Sequence, residues 1–318
     1  MRIGIVGAGM AGLACAEALA GADGSAGVRH AVVLLDKGRG AGGRMSTRRL
    51  TTGDGEAHFD YGAQYFTVRD AAFRRRVNAW IAAGVVAPWP SAGDEAHVGV
   101  TGMNAPIRQM ASGQTVRWST RVLRIDRSES AWRLITESGS TVDVDAVVIA
   151  LPAEQAADLL APVSADLEAR ARSVPSEPCW TALLAFSQSL AVTTNCHRGG
   201  AVIGWAARNN SKPGRVGPES WVVQAGVDWS RRHWQAEPEW VADTLEKELS
   251  TLLELELPVS LGRAAHRWRY ARSGAEGSGA IWDDALRLGI CGDWLIGPRV
   301  EAAWLSGTKL ASLIRGAP

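Results

Sequence analysis

The sequence predicts a mixed α/β protein of two domains, one wound around a parallel sheet and one built on a mixed β-sheet. Three stretches carry that prediction. "GIVGAGMAG" (Gly4 to Gly12) follows a short apolar run, "DKGRGAGGRMSTRR" (Asp36 to Arg49) follows a second, and "LRLGICGDWLIGPRVEAAWLSGTKLASLI" (Leu286 to Ile314) contains a third that leads into a helix. A chain of 318 residues fits about two domains.

The first stretch is read element by element. "RIGIV" (Arg2 to Val6) is a buried strand. Gly7, Gly9 and Gly12 then give G-x-G-x-x-G, and "MAGLACAEALA" has alanine-rich helical character. "AVVLLD" (Ala31 to Asp36) is a second buried strand ending in an acid, and the loop "GADGSAGVRH" stretches the spacing from Gly12 to Asp36. The first glycine allows the tight turn, the second a close approach of backbone to a pyrophosphate, and the third helix-to-sheet packing. The helix start faces the phosphates, and Asp36 meets the adenosine ribose. This is a Rossmann-type dinucleotide site.

The second stretch selects the dinucleotide. Gly42 and Gly43 permit a further close approach, and Arg44 offers a forked cation to phosphate. "FDYGAQYF" (Phe59 to Phe66) adds small residues, Gly62 and Ala63, against which a flat ring can lie. A second set of donors suits the long molecule FAD. In the third stretch "LGIC" is a strand, Gly292 and Asp293 end it, and a helix begins near Val300 with small residues on its first turns. Such a helix start stabilises negative charge on a flavin pyrimidine ring.

Composition excludes several classes. The chain is 46% hydrophobic and 21% charged, with a formal net charge of +1, so nothing steers it to nucleic acid or an anionic membrane. No apolar run approaches the ~20 residues of a membrane span, and no apolar leader precedes Arg2. Cys15, Cys179, Cys196 and Cys291 are scattered, without metal-ligand or disulfide spacing, so a reducing cytoplasm and no metal are expected.

Together, GAGMAG, DKGRGAGGRMSTRR, FDYGAQYF and GDW with GPRVEAAWLSG resemble the FAD-dependent oxidoreductases of the amine-oxidase-like superfamily. "GRMSTRR" and "GWAARNNSKPGR" (Gly204 to Arg215) resemble the renalase group within it. The resemblance implies a two-domain flavoprotein of p-hydroxybenzoate hydroxylase-like fold with non-covalent FAD. Residues 1–69, 101–155 and 286–318 would form the FAD domain; 70–100 and 156–285 would form the substrate domain. FAD would be held by Gly7, Gly9, Met10, Ala11, Gly12, Asp36, Lys37, Arg39, Gly43, Arg44, Met45, Gly62, Ala63, Gln64, Tyr65, Gly292, Asp293, Val300 and Glu301. Val122 would lie at the adenine. The implied activity is oxidation of the 2- and 6-dihydro isomers of NAD(P)H to NAD(P)+, with hydride passing to flavin N5 and dioxygen reduced to hydrogen peroxide.

Between these blocks, Asp70 to Ala83 reads as an amphipathic helix with Phe73, Val77, Trp80 and Ile81 inward. "PEWVADTLEKELSTLLE" reads as another, with Val241, Leu245, Leu249 and Leu252 as its core stripe. Ten of the 14 tryptophans follow Cys179. Most fill the core, but Trp205, Trp221, Trp268 and Trp304 rank first as walls of a flat pocket. In "HRWRYA", His266, Arg267 and Arg269 alternate with Trp268 and Tyr270, an arrangement taken to set the two groups on opposite faces of a strand. Arg208, Lys212 and Arg215 lie on a loop where they are expected to meet a dinucleotide's phosphates. Removing a hydride from a dihydropyridine leaves an aromatic pyridinium with no proton to remove, so no catalytic base is required and none is assigned.

Two alternatives use the same scaffold. An amine oxidase or desaturase would commonly place a lysine beside the flavin, and of four lysines only Lys212 is placed to reach a pocket; Lys37, Lys247 and Lys309 are not. A flavin monooxygenase would carry a second Asp-Gly motif, and Asp54-Gly55 sits in the wrong context, ahead of "FDYGAQYF".

Overall fold

A computed structural model describes residues 1–21, 30–53, 55–128 and 131–316; most of the loop after Gly21, and Asp54 of the Asp54-Gly55 pair, lie outside these. Strand β1 (Arg2–Val6) runs parallel between β2 (Ala31–Leu35) and the strand Ala146–Ile149. The strand Leu288–Ile290 extends the parallel sheet on one side and Val116–Arg117 on the other, with Ile281–Asp283 added antiparallel at the edge. Ile3, Ile5 and 146–149 are wholly buried, as strands covered on both faces must be. One face carries α1 (Met10–Leu19) and the helix Val300–Ile314. These two cross at backbone contact: a Cβ on Gly307 would lie 2.1 Å from the Ala11 carbonyl oxygen. The other face carries an antiparallel sheet of Val122–Arg127, Trp132–Thr136 and Thr141–Val144, and the helices Ala153–Leu160 and Ala165–Arg172.

β3 (Thr47–Thr52) and β4 (Gly55–Asp60) form a hairpin that reaches from the first sheet to a second. That second sheet has five strands, in the order Cys196–Arg198, Ile203–Arg208, Glu219–Ala225, Glu177–Phe186 and Ser260–Arg272, and every pairing in it is antiparallel. One face packs Trp180, Leu184, Trp221 and Val223 against Val241, Leu245 and Leu249 of the helix Pro238–Leu253. The opposite face packs Leu183, Ala185 and Val222 against Ala57 and Phe59 of the hairpin.

Helix α2 (Ala71–Ala82) is capped by Asp70, whose side chain accepts from the Ala72 and Phe73 N–H groups. It buries Phe73, Val77 and Trp80 in the same core as α1. Residues 70–100, assigned from sequence to the substrate domain, therefore share packing with the first sheet. No helix among the described residues is long and apolar enough to cross a membrane.

Candidate active site

The first glycine loop fits a dinucleotide. Gly7 (φ +106°) and Gly12 are required by the protein's own packing, since a Cβ would come within 2.4 Å of the Ala150 oxygen and 2.0 Å of the Gly7 oxygen, respectively. Gly9 is different. A Cβ there would meet nothing within 4 Å, and Gly9 caps α1 with no side-chain bond to the first N–H groups. Open space over an uncapped helix start suits a phosphate rather than a side chain. Asp36 stands at the end of β2, accepting from the Ala8 N–H at 2.7 Å and the Gly38 N–H at 2.6 Å. The carboxylate is thereby fixed at the rim of the loop, and its other lone pairs remain for ribose hydroxyls.

The second glycine loop differs from expectation in its partner. Arg44 makes a forked pair, at 2.9 and 2.6 Å, with Asp293 rather than presenting a free cation. Ser273 also donates to Asp293, at 3.3 Å. Two residues expected to act separately on FAD thus hold each other, and they join the loop after β2 to the strand end at 290. The Ala63 N–H donates to the Arg44 carbonyl at 2.8 Å, and Gly62 permits that approach because its Cβ would sit 2.0 Å from the same oxygen. Lys37 bonds Gln155, and Arg39 is exposed.

Other expected cofactor contacts have side chains or N–H groups engaged within the protein. The Glu301 carboxylate is 1% exposed and accepts from the N–H groups of Arg69 (2.6 Å) and Asp70 (2.7 Å), with Arg299 on its other oxygen. It ties the helix Val300–Ile314 to the start of α2 and is not available to a flavin. The Gln64 amide is used up internally: its nitrogen donates to the Asp60 and Gly62 carbonyls, and its oxygen accepts from Lys212 at 3.1 Å. The Met45 side chain is core. The Gly292 N–H is satisfied by Ser306 Oγ at 2.9 Å.

Strand parity decides the rest. Trp205 and Thr181 both pair with Gln224, and Thr181 pairs with His266. These residues share the face that meets the segment 61–65. Trp268 donates from Nε1 to the Tyr61 carbonyl at 2.8 Å, and Gln224 donates to the Gly62 carbonyl at 2.8 Å. Tyr61 lies 4.9 Å from Trp268 and 5.0 Å from His266 by ring centroid; Tyr65 lies 5.4 Å from Trp205. His266 therefore shares a face with Trp268, while Arg267 stacks on Trp180 and Trp234 on the other side. Period two itself dictates this, and the grouping read from sequence misplaced the histidine. Burial, then the Arg48 charge, lowers the His266 pKa and favours the neutral ring.

Trp221 is a correction of the same kind. It pairs with Leu184 and Arg208, so it points into the helix-packed core, where its Nε1 donates to Glu219. Arg208 lies on that side as well, paired with Glu219 at 2.8 Å. Trp304 packs, half-buried, against the first core, its ring tilted over Phe73 of α2 at 5.4 Å between centroids. Lys212 is sealed. Its ammonium sits 3.3 Å from Asp60, 3.1 Å from Gln64 and 3.3 Å from Asn209, and Arg215 is on the same Asp60 oxygen. Burial pushes the Lys212 pKa down to about 8; Asp60 opposes that fall and Arg215 adds to it. Asp60 is held below its ordinary value against its own desolvation, by Lys212 and Arg215.

Asp60, Asn209 and Gln224 were missed from sequence. Asn209 donates to the His58 carbonyl at 2.7 Å, so β4 and the segment after it are fastened from the second sheet. The "FDYG" acid was a visible signal for Asp60; Gln224 required knowledge of register.

Residues 5–79 match the NAD(P)-binding Rossmann-like domain, and residues 78–314 match the flavin-containing amine oxidoreductase family. The chain is 26% identical to mouse (Mus musculus) renalase over 309 residues, covering 85% of each. It shares its fold with cyclohexylamine oxidase from Brevibacterium oxydans IH-35A, at a TM-score of 0.69 and 14% identity over 99% of this chain and 98% of that one. A crystal structure from Exiguobacterium sp. 255-15, named as a candidate protoporphyrinogen oxidase, superposes at a TM-score of 0.76 with 13% identity, covering 99% and 98%.

Proposed function

Since the chain belongs to the flavin-containing amine oxidoreductase family and is an FAD-dependent oxidoreductase, we propose that it is an oxidase of renalase type, converting 2- and 6-dihydro isomers of NAD(P)H to NAD(P)+. The observation that carries this reading is the sealing of Lys212 beneath Gln64, beside a site walled by flat rings. An amine substrate must lose an ammonium proton before it can be oxidised, and the one lysine near the site among the described residues, Lys212, is enclosed. A dihydropyridine needs only orientation and exclusion of water.

FAD, when bound, would supply the two-electron acceptor, with dioxygen as the final oxidant and hydrogen peroxide as its product. Gly7, Gly9, Gly12 and the start of α1 would hold its pyrophosphate, and Asp36 its adenosine ribose. Gly62 and Ala63 would leave room for its ring. Tyr61 with Trp268, and Tyr65 with Trp205, would supply two walls for the substrate ring. In this reading residues 1–69, 101–155 and 286–318 serve the cofactor, and 70–100 and 156–285 the substrate. The division describes function, not packing, because α2 sits in the first core.

Anaerobic stopped-flow mixing tests the proposal. The dihydro-NAD(P) isomers should bleach the flavin band, and monoamines and polyamines should not. Bleaching by amines alone would replace this reading with amine oxidation.

A further inference from the structure

The cations expected to meet a substrate's phosphates are all engaged elsewhere. Arg208 is paired with Glu219, and Lys212 and Arg215 share Asp60. The hairpin provides a different one. β3 and β4 pair in the register Arg48↔Phe59 and Leu50↔Ala57, so these four side chains share a face. Ala57, Phe59 and Leu50 pack on Leu183, Ala185 and Val222 of the five-stranded sheet. Arg48 points the same way at the exposed end of that contact; Tyr61 packs at the same end of that cluster, its ring 5.0 Å from His266, and the Arg48 charge acts on that imidazole. Arg49, one residue on, turns to the opposite face and lies 3.8 Å from Glu56. Among the described residues, Arg48 has no carboxylate partner and the His266 ring has no hydrogen bond; its aromatic neighbours are Tyr61 and Trp268, at 5.0 and 4.6 Å.

We propose that Arg48 and His266, at the outer end of the Tyr61–Trp268 wall, form the subsite that binds the phosphate groups of a substrate whose ring lies against that wall. The site takes a phosphate or diphosphate ester. The Arg48 guanidinium is a fork matched to phosphate oxygens, and the imidazole adds one N–H donor. Both lie on the face that carries Tyr61, and among the described residues neither is paired with a carboxylate. The inference rests on the dinucleotide reading above, because only such a substrate carries phosphates at a distance from its reacting ring.

The test pairs two measurements on the FAD-loaded protein. The first is the KM ratio between a dihydro-NAD isomer and the matching dihydronicotinamide riboside, which lacks phosphates. The second is the affinity for ADP-ribose by calorimetry, which needs no turnover. Arg48→Ala should erase roughly 10- to 100-fold of the preference for the dinucleotide, the weight of a lost charge-assisted bond, and weaken ADP-ribose by a similar factor. Arg48→Lys should restore part of both, and Arg49→Ala should change neither. An unchanged ratio and unchanged ADP-ribose affinity in Arg48→Ala would overturn the subsite while leaving the proposed reaction standing. If neither substrate bleaches the wild-type flavin, the proposed reaction fails. The subsite is then judged on ADP-ribose alone: equal binding by wild type and Arg48→Ala overturns it, and a loss confined to Arg48 supports it.

Discussion

Two carboxylates in this molecule each hold a guanidinium, and they do opposite things with it. Asp293 holds Arg44 where the arginine side chain is still 32% exposed, on the side of the glycine loops. Asp60 holds Arg215 and Lys212 where none of the three side chains is more than 2% exposed. At the more open centre water reaches Arg44, although Asp293 is only 8% exposed, so the pair contributes less than a sealed one and its arginine can turn to a ligand's phosphate. At the sealed centre desolvation has already been incurred, and two cations compete for one anion. The open pair is suited to meet a cofactor. The sealed one fixes the backbone of 60–64, against which that cofactor would lie.

The comparison is broken most sharply at Asp60. Asp60→Asn strands two buried cations, and denaturant unfolding should show a loss of about 3–5 kcal/mol, or failure to fold. A loss below about 1 kcal/mol would mean the centre is not sealed in solution. The native Asp60 pKa lies below its ordinary 3.8, so its contribution is present above that pH and is lost as pH falls further. The acid limb of wild-type stability should therefore be steeper than that of the variant.

Asp36 is an open-side carboxylate with backbone N–H partners instead of a cation. Asp36→Ala should weaken FAD binding by ~1.5–3 kcal/mol, measured by flavin release on dilution. Full flavin occupancy with unchanged affinity would remove Asp36 from the cofactor site.

Lys212→Met should cost less than Asp60→Asn, because Asp60 keeps Arg215. A lysine whose folded pKa is about 8 binds its proton less well than in the unfolded chain, so its burden on stability is present below that pH. That burden is relieved as pH rises towards 10.5, and the stability difference between wild type and Lys212→Met should move in favour of wild type across that window. The variant's flavin reduction should fall by less than the ~10²–10⁴-fold that accompanies loss of a general acid or base. A thousandfold loss with substrate still bound would place Lys212 in the chemistry.

The smallest effect belongs to the open pair. Asp293→Asn should cost only about 0.5–1 kcal/mol of stability in the FAD-free protein. A cost as large as that at Asp60 would erase the distinction between the two centres.

What could be read from sequence follows the same line between local and distant. β1, its glycines, α1, β2 and Asp36 lie within one short segment, so each signal supports the next. The Val241–Leu249 stripe was equally local. The site face of the second sheet was not, because three register shifts interrupt the strand pairing, at 177/179, 185/186 and 203/205. A shift of one residue moves a side chain to the other face. Within each strand plain alternation sets Trp205 apart from Arg208 and Gln224 apart from Trp221, but which set faces the site depends on how the strands pair. The partners that enclose Lys212, Glu301 and Arg44 lie on other elements, and no spacing rule reaches them.

The near-contact of Gly307 with Ala11 also orders events in time. A ribosome delivers α1 early, but the strand Leu288–Ile290 and the helix that seals α1 follow only after nearly all of the chain has been made, roughly 15–60 s later. Until then the glycine loop is attached to an incomplete sheet. FAD capture should therefore be post-translational, and a nascent chain stalled before residue 288 should emerge without the ability to retain the cofactor.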